Sequence, residues 1–167
     1  IALGRVARAC DPFGSNIVLQ AARLARADHL LSRRCDTLSG GEYVRVHLAR
    51  AFAQLWDVRQ GLILVDEPLA ALDLALQEHM LQALDVFATE RQLAIVAVLH
   101  DVNQALRAFD RLLLMKEGQL FADIASTRQA VPVLESLYGL ALECLSTVDN
   151  GFVVSPVSKS SPVACLR

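Results

Sequence analysis

GLILVDEP, residues 61–68, decides the fold. A short apolar run opened by Gly61 and closed by Asp66, Glu67 and Pro68 has the length and composition of a strand buried on both faces. Downstream, Leu76, Met80, Leu84 and Phe87 recur at helical spacing, and LAIVAVL at 93–99 repeats the buried-strand pattern. Strand, helix, strand predicts an α/β protein with a mostly parallel sheet and right-handed crossovers. A short helix from Val102 to Phe109 then leads to a hairpin, RLLLMKEGQLFADI, turning at Glu117 and Gly118. Upstream, Ile17 to Leu31 reads as a helix with Ile17, Ala21, Leu24 and Leu31 near one face. A second helix follows Ser39, its stripe being Val44, Leu48, Phe52 and Leu55. Beyond Ser126 the pattern gives one more helix, two weak strands and a Ser/Pro-rich, mobile tail from Ser155. There is no internal repeat.

Bulk composition narrows the function. The 167 residues are 54% hydrophobic and 20% charged, enough for a real core and too apolar for a disordered chain. No apolar stretch approaches the roughly 18 residues needed to span a bilayer, and no signal peptide opens the sequence. Cys10, Cys35, Cys144 and Cys165 form no C-x-x-C pair, so they read as reduced thiols in a cytosolic protein rather than a zinc or redox site. A net charge of −2 argues against a general nucleic-acid binder. Residues 1–60 are nevertheless basic, with nine arginines against five acidic residues, a pattern that suits solvated helix faces.

Three stretches carry chemistry. TLSGGEYVRVHLARA at 37–51 places Ser39 and Glu42 in capping-box spacing, which builds a helix start without any ligand. The bare backbone at Gly40 and Gly41 equally admits an anion close to the helix N-terminus, phosphate being the usual one. Asp66 and Glu67 fall at the carboxyl end of the first strand, where ligands collect in open α/β sheets. An aspartate there can hold Mg²⁺, and a neighbouring glutamate can deprotonate a water aimed at a terminal phosphate. Read without function, Asp66 is a turn residue and Glu67 a first-turn carboxylate. His100 ends the second strand on the same rim, while His100-Asp101 also fits a simple helix start.

Taken in order, these stretches resemble the ATP-binding subunit of an ABC transporter. LSGGE at 38–42 is similar to the signature motif, LILVDE at 62–67 to the Walker B strand, and AALD at 70–73 to the D-loop; His100 falls at the switch histidine. The resemblance runs from Ile1 to about Pro156. It implies a partial ABC-type P-loop ATPase fold: part of the helical signature subdomain at 1–60, a catalytic α/β core at 61–154, and a flexible tail at 155–167. It also implies roles. Ser39, Gly40, Gly41 and Glu42 would face the γ-phosphate of ATP held by a second copy. Asp66 would serve Mg²⁺, Glu67 would be the general base, His100 would sense the γ-phosphate, and Asp73 would link the two sites across the dimer.

One departure matters. No G-x-x-x-x-G-K-[ST] loop occurs, since neither Lys116 nor Lys159 follows a glycine, and the glutamine loop is also missing. The chain therefore reads as the C-terminal part of a longer subunit, and by itself it is not expected to bind ATP well. RVHLARAFAQLW at 45–56 and LDLALQEHM at 72–80 resemble the haem importers, with the vitamin B12 and ferric-siderophore importers close behind. The expected partners are a second ATPase subunit, two transmembrane permease subunits and, indirectly, a periplasmic binding protein. The expected place is the cytoplasmic face of the bacterial inner membrane. Two other readings stand beside this one: a non-catalytic remnant presenting the signature helix, and an SMC/Rad50-type DNA-maintenance ATPase. The second lacks support, because Ile1 to Asp36 shows no sustained heptads.

Overall fold

The computed structural model describes residues 1–5 and 13–157. Cys10, Cys165 and most of the expected tail lie outside them; Cys35 and Cys144 are free thiols. The chain separates into two compact units, Ile1–Leu99 and His100–Arg167, each with its own core.

In the first unit, α1 (Gly14–Leu24) packs against α2 (Gly40–Leu55). Each helix contributes fully buried alanines, Ala21 and Ala22 from one and Ala49 and Ala53 from the other. Small side chains of this kind let two helix backbones approach closely. From α2, Phe52 meets Phe87 of α3 (Leu74–Arg91) with ring centroids 4.8 Å apart, and Trp56 lies 5.8 Å from the same ring. Arg91 closes this cluster. Its guanidinium sits 4.0 Å from the Phe87 ring centre, donates from Nε to the Trp56 carbonyl at 3.0 Å, and pairs with Glu90 at 3.0 Å. A buried charge costs several kcal/mol unless satisfied, and here Nε and Nη1 are both bonded and the Phe87 and Trp56 rings flank the group.

The expected helix 17–31 is shorter, ending at Leu24. Ala27 N–H reaches back to the Ala22 carbonyl at 2.7 Å and Arg26 N–H to that of Arg23 at 2.9 Å, with Arg26 left-handed at φ 49°. This is a Schellman ending, usually built on glycine. Arginine in that place hid it. Leu31 is consequently exposed, while the chain re-enters the core at Leu30 through a 3₁₀ turn, Asp28–Leu30.

β1 (Gly61–Asp66) and β2 (Leu93–Val98) pair in parallel, Gly61 opposite Leu93 through Asp66 opposite Val98. The expectation of burial on both faces fails. Ile63 and Leu93 are buried, but Leu62, Leu64, Val96 and Val98 are exposed. Alternate strand residues point to opposite faces, and among the described residues α3 contacts β2 while that second face has no comparable cover.

In the second unit, α4 (Val102–Ala108) leads into β3 (Arg111–Lys116) and β4 (Gln119–Ala125), an antiparallel hairpin. Its turn is where the sequence placed it, with φ of 50° at Glu117 and 75° at Gly118, the two left-handed positions of a type I′ turn. α5 (Val131–Tyr138) ends at left-handed Gly139. The two weak strands are real: β5 (Leu142–Ser146) and β6 (Phe152–Pro156) pair antiparallel. Leu106, Leu112, Ala130, Leu134 and Val154 form the core between these elements.

The Arg26 finding is directly testable. A left-handed non-glycine residue costs about 1–2 kcal/mol, so Arg26→Gly should raise unfolding stability by about 1 kcal/mol. Urea titration at constant m-value reads it; an unchanged or lowered midpoint would count against the Schellman ending.

Candidate functional site

Ser39 starts α2. Its Oγ accepts from Glu42 N–H at 3.3 Å, and Glu42 Oε2 accepts from Ser39 N–H at 2.8 Å, a complete capping box. Arg33 takes the other carboxylate oxygen at 2.8 Å and also donates to the Thr37 carbonyl at 2.6 Å, tying the incoming segment to the helix start. The Ser39 N–H, and after it Arg33, hold the Glu42 carboxyl below the ordinary glutamate value. Both oxygens of Glu42 are therefore engaged in shaping the corner. Tyr43 N–H reaches the Ser39 carbonyl at 2.8 Å. The N–H groups of Gly40 and Gly41 precede every intrahelical acceptor, so they are the donors this helix end has to offer.

The two glycines are not equivalent. A Cβ on Gly40 would lie 3.6 Å from Ala71 Cβ, an ordinary contact. On Gly41 it would lie 2.7 Å from the Ala71 carbonyl oxygen, closer than side chains tolerate. The second glycine is thus demanded by the chain's own backbone. The loop that it meets links β1 to α3 and is itself fixed. Leu69 and Leu72 are buried, and Gln77 donates to the carbonyls of Leu69 and Leu72 at 3.2 and 2.9 Å. Asp73 caps α3, accepting from Leu76 N–H at 2.8 Å. The signature-like corner and the Asp73 loop therefore present side by side on one unit.

Asp66 and Glu67 are exposed at the end of β1. Glu67 N–H extends the parallel ladder to the Val98 carbonyl at 3.2 Å, and its φ of 46° turns the chain sharply at the second carboxylate. A left-handed non-glycine residue persists only where its surroundings over-determine it, here the ladder bond before it and buried Pro68 after it. His100 is exposed and opens the second unit, ahead of Asp101, whose carboxylate caps α4 through Asn103 and Gln104 N–H at 2.8 and 3.2 Å. The seven remaining candidates, Ser39, Gly40, Gly41, Glu42, Asp66, Glu67 and Asp73, all belong to the first unit. Among the described residues no three His, Cys, Asp or Glu cluster as a metal cage. A cation at Asp66 would take its other ligands from phosphate oxygens and water, which is how Mg²⁺ is usually held. Sequence reasoning missed Arg33, Gln77 and the Ala71 carbonyl; Ala71 and Gln77 fall within quoted stretches, but nothing in the sequence marks what they touch.

Comparison with known proteins adds the following. The chain is 37% identical over 143 residues to the hemin import ATP-binding protein HmuV of Methylobacillus flagellatus, covering 84% of this chain and 53% of the relative. To the HmuV of Pseudomonas entomophila it is 42% identical over 144 residues, covering 84% and 56%. The chain spans about half the length of the curated relatives it matches. No protein-family model matches it. Among solved structures, a metal-chelate type ABC transporter in an inward-facing conformation superposes with a TM-score of 0.73 at 25% identity, over 95% of this chain and 64% of the other. A bacterial ABC transporter cassette solved as a dimer superposes at 0.63 with 26% identity, over 75% and 53%.

The difference between the glycines predicts a difference between their variants. Gly41→Ala should cost about 1–3 kcal/mol, the range for forced overpacking, whereas Gly40→Ala should stay within about 1 kcal/mol of the parent. Denaturant midpoints of the two variants decide it, and equal losses would contradict the close approach to Ala71.

Proposed function

This chain belongs to the ATP-binding subunits of ABC transporters, and from that premise we propose that the complete subunit hydrolyses ATP to energise import of haem across the bacterial inner membrane. The observation that carries the reading is the glycine corner at Ser39 to Gly41, packed beside the Asp73 loop on the same unit that ends a parallel strand in Asp66-Glu67. A corner with two uncommitted N–H groups at a helix start suits a triphosphate brought by a second copy of the subunit. The dimeric cassette among the structural relatives supports that assembly. Relatives named for hemin import support the cargo, and vitamin B12 or a ferric siderophore is the alternative. No helix of the described residues is long and apolar enough to cross a membrane. In this reading two permease subunits form the membrane path, a periplasmic binding protein delivers cargo, and the ATP-binding subunit lies on the cytoplasmic face.

The proposed roles follow from position. Ser39 donates its hydroxyl, and Gly40 and Gly41 their N–H groups, toward phosphate oxygens; Glu42 acts by holding that corner in shape. Asp66 would hold the magnesium ion, which would offset phosphate charge there. Glu67, turned out at the strand end, takes the proton of the attacking water, and His100 holds the terminal phosphate in register. Asp73 relays the state of one site to the other through the loop it anchors. Bound Mg-ATP supplies the electrophilic phosphoryl group.

Glu67→Gln in the complete subunit tests the assignment. A positioned base contributes about 10²–10⁴-fold, so turnover should fall by that factor while ATP affinity stays within about threefold. Hydrolysis at the parental rate in this variant would remove Glu67 from the mechanism.

A further inference from the structure

We propose that Asn103 is the positioning residue for His100, and that it acts by locking α4 onto the edge of the β5–β6 hairpin. The inference rests on the proposed role of His100 and adds a residue to it. α4 has only seven residues, too few to be stable on intrinsic propensity, so its contacts dictate its placement. Its far end is fixed by Leu106, buried in the core of the second unit, and by the Ser126 hydroxyl donating to the Leu106 carbonyl at 2.6 Å. At the end that carries His100, Val102 packs against the same core, and a polar anchor adds direction to that contact.

Asn103 supplies it. Its amide Nδ2 donates to the Val154 carbonyl at 3.0 Å, and its Oδ1 accepts from Val154 N–H at 2.8 Å. One side chain thus engages both main-chain groups of a strand residue, as a neighbouring strand would. The register explains why Val154 is available. Val154 lies opposite Cys144, while the flanking hairpin bonds, Thr147 N–H to the Gly151 carbonyl and Val157 N–H to the Ala141 carbonyl, fall on residues out of phase with it. In an antiparallel pair hydrogen-bonded and non-hydrogen-bonded positions alternate, so Val154 turns its polar groups away from β5. Two short bonds, partly buried, fix the helix three residues after His100 against rotation as well as translation. Asp101, between them, caps the same helix through the Asn103 N–H. His100, Asp101 and Asn103 are one mechanical piece hung on β6.

The test is a double-mutant cycle in the complete subunit, reading ATP turnover. Asn103→Leu keeps the branched side-chain shape and removes both bonds. Because a misplacement of about 1 Å can cost about a hundredfold, kcat should fall about ten- to a hundredfold while KM for ATP stays within about twofold. Asn103→Asp, which keeps the acceptor but sets a carboxylate against the Val154 carbonyl, should fall in the same direction and serves if the leucine variant does not fold. In a His100→Ala background either substitution should cost less than about twofold more, since residues acting as a unit are not additive. An equal loss with and without His100, or an unchanged kcat in the parental background, overturns the positioning role alone. Parental turnover in His100→Ala overturns the reading of His100 and the inference with it.

Discussion

The first unit depends on one close approach, the backbone of Gly41 against the carbonyl of Ala71. It joins two segments far apart in the chain, the start of α2 and the loop ahead of α3, with no side chain between them. The candidate residues of that unit lie on one or the other. The serine corner, shaped by Glu42 and Arg33, stands on α2. The Asp66-Glu67 strand end and the Asp73 cap lie on the segment leading to α3. Lower down, the same two helices are joined by Phe52, Trp56, Phe87 and Arg91, so the pair is fixed both near the site and far from it. The corner is held by the fold alone: the capping box and Arg33 fix its backbone without any ligand.

Local signals were the legible ones. The capping box at Ser39 and Glu42, the left-handed pair at Glu117 and Gly118, and the helix start after His100 each depend on residues within a few positions of one another, which periodicity and spacing report. The parallel pairing of β1 with β2 was equally readable, because two apolar runs around an amphipathic helix leave few other topologies. Arg26 shows the limit of such reading. Its left-handed conformation ends α1, yet arginine carries no mark of it. The exposed row of Leu62, Leu64, Val96 and Val98 shows another, because an apolar strand pattern states what should be covered and not what covers it.

The site was legible as a set of motifs and not as a construction. Ser39, Gly40, Gly41, Asp66, Glu67, Asp73 and His100 stood out by type and order. What holds them did not. Arg33 clamps Glu42 from a preceding turn, Gln77 ties two carbonyls of the loop from within α3, and Asn103 reaches a strand residue 51 positions away. Such partners are fixed by tertiary geometry, and a single sequence gives no pairing information about them. Of the two readings of SGGE, the helix cap is what the structure shows; the anion corner is the proposal built on it. Glu42 builds the cap, Gly41 is required by Ala71, and Gly40 is left open to solvent.

The central claim is that the N–H groups of that corner meet a triphosphate carried by a second copy. Amide hydrogen exchange at Gly40 and Gly41 in the complete subunit measures it most directly, with and without Mg-ATP, above and below the concentration at which the subunit dimerises. The account predicts protection at both amides only when nucleotide and dimer are present together. Exchange that stays fast at both amides in the nucleotide-bound dimer would contradict it.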